Sequence, residues 1–151
     1  ERLTKASRNY AVEYCRNGIL ELARVIGRDR TLEIGKRAAH LTGLQHYKHM
    51  ADALGCVDGD VADAASFLTS VLAGMGDTVD SDIGADRHSA TVREHGLRIV
   101  RGMTGDDRDI MLSCWTELWR GAVSSHRQFI DVRVEARDDA LTWHLALKGE
   151  Q

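Results

Sequence analysis

Not one proline occurs in the 151 residues. Proline interrupts helices because it lacks the backbone N–H and its ring clashes with the preceding turn. A chain without it can run long helices, and its turns must come from glycine, aspartate and asparagine. The period of the apolar residues then decides where helices give way to strands. Over residues 4–26, Ala11, Cys15, Gly18, Leu22 and Val25 recur at helical spacing, with Ile19 and Ile26 beside them, and Gly27 is a stop signal. Asp29 is placed to cap a second helix over 30–41 with Leu32, Ala38 and Leu41 inward. Gly43 is expected to interrupt it before a short third helix that ends at Gly55. The turn "DGD" at 58–60 can cap a helix carrying Val61, Ala64, Ala65, Leu68, Val71, Leu72 and Met75.

The period changes after Gly76. "DTVDSDIGAD" reads as an acidic loop or weak strand, and "SATVREHGLRIV" alternates, with His95-Gly96 as an expected hairpin turn. Thr104 and Asp107 resemble a capping box for a long helix reaching about Ser125, with Met111, Trp115, Leu118 and Ala122 on one face. "FIDVRVEA" and "ALTWHLAL" flank "RDD" as a closing hairpin whose alternate residues face opposite sides. The predicted architecture is α+β: a helical N-terminal half, then an antiparallel sheet of two hairpins with a long helix between them, all in one domain over 1–151.

Composition bounds the function. Hydrophobic residues make up 43% and charged residues 28%, as in an ordinary globular chain able to bury a core without staples. A net charge of −3 argues against nucleic acid. No apolar run reaches membrane-spanning length, so no membrane partner is expected. Cys15, Cys56 and Cys114 are odd in number and far apart, which points to free thiols and the cytoplasm. The chain opens on Glu1, so a longer N-terminus is expected.

"HLTGLQHYKHM" at 40–50 holds His40, His46 and His49. His46 and His49 share a helical face, and His40, Cys56 or Asp58 could add a ligand, but HExxH is absent. The plainer account is a histidine-rich amphipathic helix, and no metal or cofactor is assigned. Cys114 reads either as a thiolate with His126 or His144 as its base, or as a small buried hydrophobe. Trp115, Trp119 and Trp143 either fill the space between helix and sheet or line a ligand pocket there with their N–H groups free. Asp80 and Asp82 alternate in an acidic stretch that reads as a solvated loop and not as a cation site. Among the arginines, Arg98 is a candidate to hold a ligand carboxylate.

"ELARVIGRDRTLEIGKRAAHLTG", residues 21–43, resembles the start of the L-2-amino-thiazoline-4-carboxylic acid hydrolase family. The order of the remaining elements is similar to that family and to vinyl-reductase-type small-molecule-binding domains. The resemblance implies a small hydrolase-like enzyme that opens a heterocycle or acts on a small carboxylate-bearing molecule. His144, His126 and His88 are the candidate bases there, because imidazole exchanges protons near neutral pH. The final strand, "LTWHLAL", lacks the cysteine such proteins carry, and no catalytic fingerprint such as GxSxG occurs. The alternative is therefore a non-catalytic small-molecule-binding or assembly subunit of a larger enzyme, or a homo-oligomer.

Overall fold

The structure is a computed structural model that describes residues 2–56, 59–126 and 129–149. Asp58 lies outside the described residues. The elements run α1 (Arg2–Ile26), α2 (Arg28–Leu54), α3 (Val61–Met75), β1 (Thr78–Ile83), β2 (Ser89–His95), a 3-10 turn (Arg98–Val100), α4 (Gly105–Ser124), β3 (Ile130–Arg137) and β4 (Ala140–Leu147). The α+β class and the helical N-terminal half are as expected. The four strands form one antiparallel sheet in the order β1-β2-β4-β3, so the two hairpins join through β2 and β4.

Alternation sorts the sheet into two faces. Val92 pairs with Trp143, and Val134 pairs with Trp143 from the other side. Ala90, Val92, Leu141, Trp143 and Leu145 are buried, whereas Arg93, Arg133 and His144 are exposed on the opposite face. α3 and α4 cover the inner face. α3 buries Val61, Ala64, Ala65, Phe67, Leu68, Val71 and Leu72, a wide apolar stripe. Its start is capped reciprocally. Asp63 N–H donates to Asp60 Oδ1 (2.8 Å), and Gly59 N–H donates to Asp63 Oδ2 (2.9 Å).

Several local expectations are corrected. α2 is one unbroken helix through Gly43, because Gly43 marks a crossing and not a stop. A Cβ there would collide with the Leu118 carbonyl oxygen and stand 2.6 Å from Ala122 N on α4. Gly121 of α4 meets the His40 carbonyl of α2 in the same way. Two glycines thus let the backbones touch, which outweighs the roughly 1 kcal/mol that glycine costs inside a helix. Gly27, not Asp29, is the N-cap of α2, and the Thr104 hydroxyl makes no cap hydrogen bond at α4. The first hairpin turns between Ile83 and Ser89, with Gly84 N–H bonded to Ser89 O, and not at His95-Gly96. The inward face of the second helix also differs. Tyr47 is buried, while Ala38 and Leu41 are exposed, and along the apolar spacing of α1 Val12 is buried while Cys15 and Val25 are exposed.

Candidate functional site

The tryptophans converge with a residue that sequence reasoning missed. Glu94 stands in phase with Ala90 and Val92 on the inner face of β2, and it is 0% exposed. Trp115 Nε1 donates to Glu94 Oε1 at 3.2 Å, and Trp143 Nε1 donates to Oε2 at 3.1 Å. Burial, reinforced by the neighbouring Asp77 carboxyl and only partly opposed by the two indole donors, pushes Glu94 up to about 8. The signal was present in the alternation, since a polar residue in phase with buried alanine and valine must itself be buried. Trp119 packs edge-to-face on Trp115, with ring centroids 5.3 Å apart. All three tryptophans are buried, so they occupy the space between α4 and the sheet.

The other sequence candidates are dispersed. His144 lies on the outer sheet face, 3.7 Å from Glu135. His88 lies in the first hairpin loop and its carbonyl accepts from Leu147 N–H. His126, just after α4, is buried and its Nδ1 hydrogen-bonds the Tyr47 hydroxyl. Burial holds His126 below the ordinary histidine range, with Asp60 and Asp63 opposing. Cys114 is buried under α2, and a Cβ on Gly35 would stand 2.8 Å from its sulfur. Burial raises that thiol to about 11, so at neutral pH it is a protonated packing group. Arg98 gives its backbone N–H to Asp77 Oδ1 (2.8 Å) and its guanidinium to Asn9 Oδ1 (2.5 Å). The structure therefore brings together Trp115, Trp119 and Trp143, with Arg98 linked to Glu94 through Asp77. It does not bring His144, His126, His88 and Cys114 to one place.

His40 pairs with Glu117 of α4 at 2.8 Å, and His46 and His49 are exposed. Among the described residues no group of three or more His, Cys, Asp or Glu side chains could hold a metal ion.

Two surfaces remain. A cavity of about 360 Å³ is lined by Leu44, Tyr47, Lys48, Ala51 and Cys56, with Cys56 almost buried at its wall. Burial, with the charge of Asp63, raises the Cys56 thiol above its ordinary value. The second surface is the outward side of α1 and α2. Tyr10 and Tyr14 stack on each other, one helical turn apart, and are 74% and 73% exposed. Val25 is 72% exposed, and Ile34, Leu41 and Leu44 follow on α2. Among the described residues no helix is long and apolar enough to cross a membrane.

The chain matches no protein-family model and no curated protein. Its fold does have a match. It is that of a trafficking protein particle complex subunit 3 from Naegleria fowleri, whose crystal structure has palmitic acid covalently bound. The two align with a TM-score of 0.67 at 11% identity, over 95% of this chain and 96% of that one. The likeness establishes the fold. It also overturns the expected resemblance to the thiazoline carboxylate hydrolase family, and with it the hydrolase reading. The wording at 21–43 that suggested that family spans the α1–α2 junction. It reflects two consecutive charged helices and not a hydrolase site.

Proposed function

We propose that this chain is a non-catalytic assembly subunit, docking into a larger complex through the outward faces of α1 and α2. The exposed apolar run Tyr10, Tyr14, Val25, Ile34 and Leu41 carries the proposal. Burying such side chains against a partner is favourable by about 25 cal/mol per Å² of apolar surface, and aromatic anchors of this kind dominate interface energetics. The fold supports the reading, because the similar solved structure is a subunit of a particle complex. The dispersal of the histidines supports it too, since general acid–base chemistry needs its groups within hydrogen-bond reach of one substrate. The test is size fractionation of the native lysate with detection of this chain. The expected result is elution far above its own 16.7 kDa. Tyr14→Arg combined with Val25→Arg returns it to its own mass. Elution of the unaltered chain at its own mass overturns the reading.

Cys56 favours a second role as an acyl acceptor. It lines a cavity with Leu44, Tyr47 and Ala51 as apolar walls and Lys48, Asp52 and Ser125 as polar ones. The similar trafficking subunit carries a covalent fatty acid, and a thioester is the linkage a cysteine would supply. Intact mass spectrometry of the natively expressed chain is expected to show an acyl increment that hydroxylamine removes and that Cys56→Ser abolishes. An unmodified mass, or an increment kept by Cys56→Ser, refutes this role.

A further inference from the structure

Elements from both layers meet at one end of the sheet, and two carboxyl groups sit at their meeting point. Glu94 of β2 is fully buried, with one indole donor on each of its oxygens. Asp77 lies between α3 and β1, two residues before Val79, the strand partner of Glu94, so the two carboxyls share one face of the sheet as diagonal neighbours, and Asp77 is itself buried. Asp77 Oδ1 accepts the backbone N–H of Arg98. Asp77 Oδ2 is buried and receives no donor among the described residues.

Two ionised carboxylates cannot satisfy that arrangement. Neither has a hydrogen to give the other, and like charges repel strongly away from water. Two cations lie beside the pair without forming an ion pair with it. From the 3-10 turn, the Arg98 guanidinium packs at Gly76 and hydrogen-bonds Asn9 of α1. From α1, the Arg8 guanidinium reaches the Gly74 carbonyl at 3.1 Å. From α4 and β4 the facing groups are the Trp115 and Trp143 indoles, and the strand partners of Glu94 are Val79 on β1 and Leu141 on β4. Among the described residues neither carboxyl has an ion-pair partner.

One hydrogen between the two groups resolves both problems, because it neutralises one charge and gives Asp77 Oδ2 its donor. Asp77 Oδ1 is already occupied by a backbone donor, and Glu94 is the more deeply buried of the two, so its neutral form is the one burial favours. We propose that Glu94 and Asp77 share one proton in the folded chain, carried on Glu94 and donated to Asp77 Oδ2. This proton locks the junction of α3, β1, β2, β4 and α4. The upward displacement of Glu94 agrees with it. Through Arg98 and Asn9 the lock also reaches α1.

The test is infrared spectroscopy of the whole chain across a pH series, reading the carbonyl stretch of a protonated carboxyl. A band present at neutral pH and lost under mildly alkaline conditions is expected, and Glu94→Gln removes it. Labelling glutamate with carbon-13 in the unaltered chain shifts the band, which keeps the test sound if Glu94→Gln does not fold. Asp77→Asn moves the loss of the band to lower pH. No band at neutral pH overturns the proposal. So does a band that shifts with labelled aspartate instead, or an unchanged midpoint in Asp77→Asn.

Discussion

The sheet side and the outer helical side of this molecule treat apolar residues in opposite ways. On the sheet side, Trp143, Phe67, Leu68, Leu72 and Leu145 are all within 1% of full burial, and even a carboxyl is enclosed. On α1, Val12 is buried while Tyr10, Tyr14 and Val25 stand in water. The sheet with α3 and α4 has completed its core from its own residues. α1 and the outer face of α2 leave more apolar surface in water, which is the surface the proposed assembly role uses. The contrast can be broken or sharpened by substitution on each side.

Trp143→Ala is expected to have the largest effect, about 4 kcal/mol of lost stability, because it empties a fully enclosed site. It also removes one of the two donors that hold Glu94. Urea unfolding monitored by circular dichroism measures the loss. A loss below about 1 kcal/mol would mean that the sheet side is not the rigid half. Gly43→Val is expected to cost roughly 3 kcal/mol, since the added carbons meet the α4 backbone and not a flexible side chain. The same unfolding curve reads it, and a neutral result would deny the backbone crossing of α2 and α4.

pH is the next lever. Glu94 is raised above the ordinary carboxylate value, so the folded chain holds a proton that the unfolded chain has released. The Glu94 contribution to stability is therefore greatest below the ordinary value and declines as pH rises towards about 8, whereas the lowered His126 acts in the opposite direction only below the ordinary histidine value. The slope is at most about 1.4 kcal/mol per pH unit for one proton, and it flattens above that pH. Unfolding midpoints measured from about pH 7 to 9 read the decline free of His126, and Glu94→Gln should flatten it. A stability that rises over this window would contradict a buried neutral Glu94.

How much of this was legible in the sequence differs between the same two regions. The change of period after Gly76 gives α3, the hairpins and α4, because each buries a face against a partner within the chain. Gly43 was not legible, since a glycine inside a helix signals equally a break or a close crossing. Only the presence of Gly121 opposite decides it, and that is a tertiary fact. Glu94 was legible in principle from its phase with Ala90 and Val92. The stripe Leu32, Ala38 and Leu41 reads as inward, yet Ala38 and Leu41 are exposed, because periodicity tells that a face is apolar and not what covers it. The candidates His144, His126, His88 and Cys114 were chosen by side-chain chemistry alone, and chemistry without a shared location does not define a site.

Asp60→Ala is expected to cost about 1 kcal/mol, the ordinary value of an N-cap, by freeing Asp63 N–H at the start of α3. Asp60 also receives the Arg87 guanidinium at 2.7 Å from Nε, but that contact is solvent-facing and adds little. Thermal unfolding checks the cost, and a loss several times larger would show that Arg87 ties the hairpin loop to α3.

The smallest expected effect sharpens the comparison most. Val25→Arg and Tyr14→Arg should change the stability of the isolated chain by no more than about 0.5 kcal/mol, since the two side chains are 72% and 73% exposed. Under the proposed docking, the same substitutions should abolish assembly, because each sets a charge in a surface that would be desolvated. Unfolding curves and size fractionation of each variant therefore have to disagree. A variant that loses stability in proportion to its loss of assembly would mean that this face of α1 belongs to the folded core after all.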